Sequence, residues 1–323
     1  MPHQGRGRRF RGTSPSFFGG DLHMKNKLSR ILGKESVAGY IFIAPFIIGL
    51  FAFTVIPFFT SLYLAFTDYN ILTPPKWIGI QNFRRMFFED KYFWTSFWVT
   101  FKFAFIQVPI KMLVSLGVAL ILSRNTKAIP FYRSAFYIPS LMGGSVAVAL
   151  TWKQLFSYDG VINRFTALFG LAPVKWLSNP GTALYVLIGL GVWQFGSSML
   201  IFLAALKNVP ASYHEAAIVD GAGPVRRFFK IVFPMITPIF FFNLINQTIG
   251  AFQAFNSSYL ITQGKPLNTT LYYGVHLYNR AFTYYEMGYG SAMAWFMLLV
   301  IAIFTALIFR SSSAWVYYES EGK

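Results

Sequence analysis

The stretch LKNVPASYHEAAIVDGAGPVRRFFKIVFPMITP, residues 206–238, decides how this chain is read. Ser212-x-x-Glu215 has the form of a capping box, with Ser212 as N-cap and Glu215 at the third helical position. Ala216, Ala217, Ile218 and Val219 extend it as a short helix. Gly221 and Gly223 stop that helix, since glycine enters the left-handed conformation of a helix end without a Cβ penalty. Pro224 opens a second short helix, its fixed φ suiting a first helical position. The stretch therefore predicts a compact helix–turn–helix. Its flanks are long and free of charge, 176–206 on one side and 231–264 on the other.

Those flanks identify the solvent. Of the 323 residues, 55% are apolar, 20% aromatic and only 12% charged, where a soluble domain carries about 25% charged residues. A soluble fold of this size has no room to hide so much apolar surface, so part of it must face lipid. Further charge-free runs cover 36–67, 134–152 and 287–309, and the apolar run 94–122 is interrupted only by Lys102 and Lys111. A helix of about 20 residues crosses a hydrocarbon layer of about 30 Å. Six helices follow, at 40–66, 94–122, 134–156, 183–206, 231–255 and 290–309. The runs do not alternate as barrel strands do, so the expected fold is an all-α, polytopic membrane bundle.

The charge of +17 comes from 28 Lys and Arg against 11 Asp and Glu. Its placement between apolar runs indicates membrane orientation and not nucleic-acid binding. Residues 1–39 hold eight Lys/Arg, and 123–133, 207–230 and 310–323 hold nine in 49 residues, against eight in 87 for 67–93, 157–182 and 256–289. Both ends are therefore expected in the cytoplasm. Residues 1–30 read as a basic, flexible cytoplasmic tail and 31–323 as a transmembrane domain carrying the cytoplasmic loop 207–230. The Gly- and Arg-rich residues 1–23 have two readings, a flexible tail at the anionic inner leaflet or translated sequence upstream of a start at Met24.

The absence of cysteine excludes disulfides, thiolate metal sites and a cysteine nucleophile. His3, His23, His214 and His276 are too scattered for a metal cluster. No catalytic acid, base or nucleophile set clusters, so no enzyme is expected. No G-x-x-x-x-G-K-[ST] phosphate loop occurs either.

Glu215-Ala216-Ala217, then Gly221, then Ile231-x-x-Pro234, resembles the EAA signature of permease subunits in bacterial ABC importers. With Asp220-Gly221-Ala222 it is similar to the carbohydrate permeases, in particular the larger maltose permease subunit. FYRSAFYIP (131–139) with Trp152 and Phe156, SLYLAFTDYN (61–70) after Pro57, and WIGIQNF (77–83) resemble other parts of the same family, and the resemblance runs over about 24–312. It implies that the 207–230 loop holds a coupling helix, docked into a cytoplasmic ATPase by Glu215, Ala216, Ala217, Asp220 and Gly221. It implies two ATPase subunits that bind ATP and Mg, a second homologous permease subunit, and a periplasmic or extracellular sugar-binding protein. This chain would bind no cofactor of its own. The plain alternative is a re-entry loop in which Glu215 only caps a helix.

Two spans carry polar groups that need partners in a membrane. On span five Asn243, Asn246, Gln247, Gly250, Gln253 and Ser257 fall within an arc of about 120° at helical spacing. They read either as a wall contacting sugar hydroxyls or as interhelical hydrogen-bond glue. Trp193 and Gln194 on span four are further candidates, the indole for an apolar sugar face. Lys111 lies well inside span two with Gln107 and Ser115 a turn away, and no acid lies in any span. A buried lysine must face the bundle, pair, snorkel or line a wet cavity. Substrate contact through Lys111 would point to an anionic oligosaccharide and, within the family, to alginate importers. A secondary carrier would keep an acid in its spans. An ion channel echo at Gly288-Tyr289-Gly290 lacks the Thr-Val that precedes it in a potassium filter.

Overall fold

The computed structural model describes residues 35–123 and 129–317, so the tail expected over 1–30 lies outside the described residues. They divide into two compact units, one ending at Ser61 and the other beginning at Leu62. Helix α1 (Glu35–Leu50) passes through one π-turn, Phe51–Val55, into α2 (Ile56–Ala65), whose residues up to Ser61 belong to the first unit. The π-turn precedes Pro57, which has no N–H to donate and whose ring collides with the carbonyl four residues back in regular α-geometry. Tyr40, Phe42, Phe46 and Phe53 are all exposed, and the apolar window of the segment Phe42–Ala65 has no residue buried inside the protein. Such a helix is stable only against lipid or another chain.

In the second unit the end of α2 is followed by a two-residue antiparallel ladder, β1 (Thr67–Asp68) with β2 (Lys76–Trp77), and the short helix α3 (Gln81–Phe88). Helix α4 (Phe93–Leu122) is its centre, burying Phe97, Phe103, Val108, Met112 and Leu116. Then come α5 (Ile129–Met142), α6 (Val146–Leu155), α7 (Val161–Ala167), α8 (Ala183–Trp193), α9 (Gly196–Lys207), α10 (Ala211–Val219) and α11 (Pro224–Arg227). A second π-turn, Phe228–Val232, again just ahead of a proline, Pro234, leads into α12 (Phe233–Phe252). After the π-turn Ser258–Thr262, α13 (Tyr273–Tyr278) and the π-turn Asn279–Thr283, the long α14 (Met287–Ser312) closes the bundle.

Four helices among the described residues are long and apolar enough to cross a membrane, and six if two bent pairs each count as one span. The spans expected as single helices at 134–156 and 183–206 are those pairs. Between α5 and α6 the chain turns by 102°, and between α8 and α9 by 43°. Close packing explains both breaks. A Cβ on Gly143 would overlap the Gln194 side chain, and one on Gly196 would overlap the Phe136 carbonyl. Breaks free backbone carbonyls, which must find donors away from water. The Gln194 amide donates to Gly143 O (2.9 Å), Asn256 donates to Gly144 O (3.4 Å), and Ser115 Oγ donates to Phe195 O (3.2 Å).

Candidate functional site

The two breaks and the end of α12 enclose a cavity of about 350 Å³. Helix α4 contributes Phe103, Gln107 and Lys111; the first break contributes Gly143, Gly144 and Ser145; the second contributes Gln194; α12 and the chain after it contribute Gln247, Gly250, Gln253, Asn256 and Ser257. Amides thus approach from several segments. Gln107 Oε1 is buried without a hydrogen-bond partner among the described residues. Gln247 Nε2 donates to Ser198 Oγ at 2.8 Å. Lys111 is half-buried, and its amine has neither ion pair nor hydrogen bond among the described residues. The chamber offers amide donors and acceptors with one cation, which suits a hydroxyl-rich ligand.

Of the residues singled out from sequence, Lys111, Gln194, Gln247, Gly250 and Gln253 come together here. Asn243, Asn246 and Trp193 do not. Asn243 is buried and donates to Ile239 O (3.3 Å), while the exposed Asn246 donates to Phe242 O (2.8 Å), so both bond back to their own helix. The helical arc gave direction around the axis but not depth along it, and the cavity stops at Gln247. Trp193 packs on Trp152 with ring centroids 5.7 Å apart. Gly143-Gly144-Ser145 and Asn256 were missed as site residues. A Gly-Gly pair inside an apolar span was the available signal, since it allows a break there.

A second arrangement fixes the segment that forms one cavity wall. Asp90, just before α4, has a fully buried carboxylate. His276 Nε2 and Tyr289 OH lie 2.8 and 2.6 Å from Oδ2, the Tyr92 amide donates to Oδ1, and Arg280 pairs with Oδ1 at 3.2 Å. Glu286 bridges Arg280 (3.3 Å) and Arg85 (2.7 Å). Burial alone would raise the pKa of Asp90, but the hydrogen bonds from His276 and Tyr289 outweigh it and hold the carboxyl well below the usual carboxylate range. The knot joins α3, the start of α4, α13 and the start of α14. In the sequence no spacing links these residues, and the pair Arg85 and Glu286 lies 201 positions apart.

The loop 207–230 has the expected helix–turn–helix form with one correction. Helix α10 starts at Ala211 with Pro210 as N-cap, and no side chain caps it. The expected Ser212–Glu215 capping box is absent, because Pro210 already holds the extended conformation of an N-cap (φ −60°, ψ 137°) and places Ser212 inside the helix. The C-terminal reading holds. Gly221 takes φ +70°, its N–H donates to Ile218 O (3.0 Å), and Ala222 N–H donates to Ala217 O (2.8 Å), a Schellman motif. Pro224 begins α11. Ala217 is buried and His214 half-buried, so this face packs down, while Tyr213, Glu215, Ala216, Ile218 and Val219 are exposed. Val219 is 86% exposed, which leaves the outward face apolar and uncovered.

The family described as "Binding-protein-dependent transport system inner membrane component" matches residues 35–316. The chain belongs to this family. It is therefore a multi-pass component of the inner membrane and a transport subunit, not an enzyme. Binding-protein-dependent transport implies further subunits. Among its relatives, the probable ABC transporter permease protein YesP of Bacillus subtilis (strain 168) is 52% identical over 298 residues, 91% of this chain and 96% of that protein. The probable starch degradation products transport system permease protein AmyD of Thermoanaerobacterium thermosulfurigenes is 33% identical, over 85% of this chain and 93% of that one. The fold also matches a chain of a bacterial alginate ABC transporter solved with an alginate pentasaccharide-bound periplasmic protein. The TM-score is 0.75 at 18% identity, over 88% of this chain and 97% of that chain. In this permease the broken spans, the amide cavity and the exposed α10 are thus features of a transport subunit.

Proposed function

We propose that this permease carries oligosaccharides into the cytoplasm by ATP-driven alternating access, and that its substrates are anionic, of the uronate type found in alginate. The observation that carries the reading is Lys111, a cation unpaired among the described residues, in a cavity whose other polar side chains are mainly amides. The name of the relative AmyD, a permease for starch degradation products, supports a carbohydrate. The cytoplasmic placement of both ends and of loop 207–230 rests on the Lys/Arg distribution.

Helix α10 is the coupling helix in this reading. Glu215, Ala216, Asp220 and Gly221 meet the ATPase with Ile218 and Val219 beside them, and buried Ala217 supports the helix from beneath. ATP and Mg are held by two ATPase subunits. A second permease subunit covers the apolar faces, and a sugar-loaded binding protein delivers substrate from outside. Closure of the ATPases moves α10, and that rigid-body motion opens the cavity to the other side.

The test is uptake of labelled oligouronates into proteoliposomes holding the full complex. Uptake should require the ATPase, ATP and the binding protein. Uptake driven by an ion gradient without the ATPase would overturn the importer reading, and failure of every oligouronate with success of neutral oligosaccharides would overturn the anionic one.

A further inference from the structure

A second cavity, of about 230 Å³, lies under the coupling loop where three membrane segments end. Its apolar side is formed by Leu120 near the end of α4, Leu206 near the end of α9, and Phe228 ahead of α12. Its polar side is formed by Ser123, His214 and Arg227. Arg227 Nε is buried without a hydrogen-bond partner, and no carboxylate among the described residues pairs with this guanidinium. A half-buried guanidinium whose Nε is shielded from water favours a charged, oxygen-rich partner that accepts parallel hydrogen bonds.

Three facts identify that partner. The cavity sits where α4 ends at Leu122, α9 ends at Lys207 and the span of α12 begins at Pro224, which is headgroup depth for a membrane protein. The loop 207–230 carries Lys207, Arg226, Arg227 and Lys230 against only Glu215 and Asp220, so its field favours an anion. Five of the eight lining residues are apolar and three are polar, matching a molecule with a hydrocarbon chain and a phosphate better than a free ion.

We infer that this cavity binds one anionic phospholipid of the inner leaflet, its phosphate on Arg227, His214 and Ser123 and its acyl chain along Leu120, Leu206 and Phe228. His214 belongs to α10 itself, on the face that packs down beside Ala217. The lipid thus wedges beneath the proposed coupling helix and ties it to three spans. The site is separate from the amide cavity and holds whether or not the transported sugar is anionic.

The experiment uses the assembled transporter, purified and stripped of lipid, with native mass spectrometry counting bound phosphatidylglycerol against phosphatidylcholine. Wild type should retain phosphatidylglycerol selectively. Arg227→Gln should weaken that retention about tenfold, the effect of losing one charge-assisted contact of about 1.4 kcal/mol, while Arg226→Gln, at an exposed neighbour, should not. Equal retention by wild type and Arg227→Gln, or equal retention of the two lipids by wild type, overturns the site. Competition in the wild-type complex needs no variant: inorganic phosphate that displaces phosphatidylglycerol as effectively as added phosphatidylglycerol does would make this a free-phosphate site and overturn the lipid.

Discussion

Asp90 and His276 stand 186 positions apart in the chain, and their side chains meet at 2.8 Å inside the protein. Around that contact Arg280, Glu286, Arg85 and Tyr289 complete a network in which each acid faces a guanidinium. Phe255, Asn256, Ser257 and Leu260, which line the amide cavity, belong to the segment this network anchors through α13 and α14. None of the network residues lines that cavity, and Phe255 packs on Tyr278 of α13 with ring centroids 5.3 Å apart.

Replacing Asp90 by Asn should be costly although the two side chains have the same shape. It leaves Arg280 short of one acid in a buried place, where breaking an ion pair costs about 3–5 kcal/mol. The purified complex should unfold at a clearly lower temperature, and uptake should fall with the fraction that stays folded. An unchanged melting temperature would mean that the network adds no stability.

The pH dependence follows from the depressed pKa of the same carboxyl. Its contribution to stability is complete above the unfolded value of about 3.9 and is lost as pH falls through the lower folded value. Melting temperatures between pH 7 and 5 should therefore show no loss assignable to Asp90. Below about pH 4 the wild type should lose stability more steeply than Asp90→Asn, measured on solubilised complex at fixed ionic strength.

The proposed coupling role is tested at Glu215 and Gly221. Gly221→Val forces a β-branched side chain into φ +70°, at a cost of about 1–2 kcal/mol, and disrupts the Schellman end of α10. Glu215→Lys reverses the charge on the exposed face. Each should abolish ATPase stimulation by the loaded binding protein, or block assembly with the ATPase, while the permease still inserts. Full stimulation and uptake in both would leave the loop a mere connection.

Gln247 separates a pathway amide from structural glue. Gln247→Leu removes its hydrogen bond to Ser198 at similar bulk. If Gln247 serves the substrate, uptake per assembled complex should fall several-fold while the subunits copurify. Loss of assembly with normal uptake in what remains would assign it to helix packing.

Lys111 tests the charge of the substrate. At about 4 Å and an effective dielectric near 20 a unit pair is worth up to ~4 kcal/mol before desolvation is deducted. Lys111→Gln should weaken uptake of an oligouronate far more than that of a neutral oligosaccharide of equal length, compared at one salt concentration. An equal change for both would remove the anionic reading and leave the carbohydrate permease.

Much of the architecture was legible because the membrane imposes a coarse rule. A helix must satisfy its own backbone over about 20 apolar residues, and such runs stand out without any tertiary information. The Gly143–Gly144 pair permits a break but does not require one, and Gln194–Phe195 carries no such signal; the side chains that satisfy the freed carbonyls come from other segments, Asn256 and Ser115 among them. The absent capping box has a more local cause: Pro210 and Ser212 competed for one helix start, and the backbone of Pro210 prevailed.

By itself the sequence determined the membrane class, the position of the spans and the turn at Gly221, because each follows from hydrophobic length or from the conformational range of a single residue type. Only the tertiary structure decided that Gln247 lines the cavity while Asn243 bonds its own helix, that Ala217 faces inward while Ala216 is exposed, and that Asp90 belongs with His276 and Arg280. Periodicity fixes the angle of a side chain about its helix. What that side chain meets depends on which distant segment arrives at the same depth, and one helix holds no information on that.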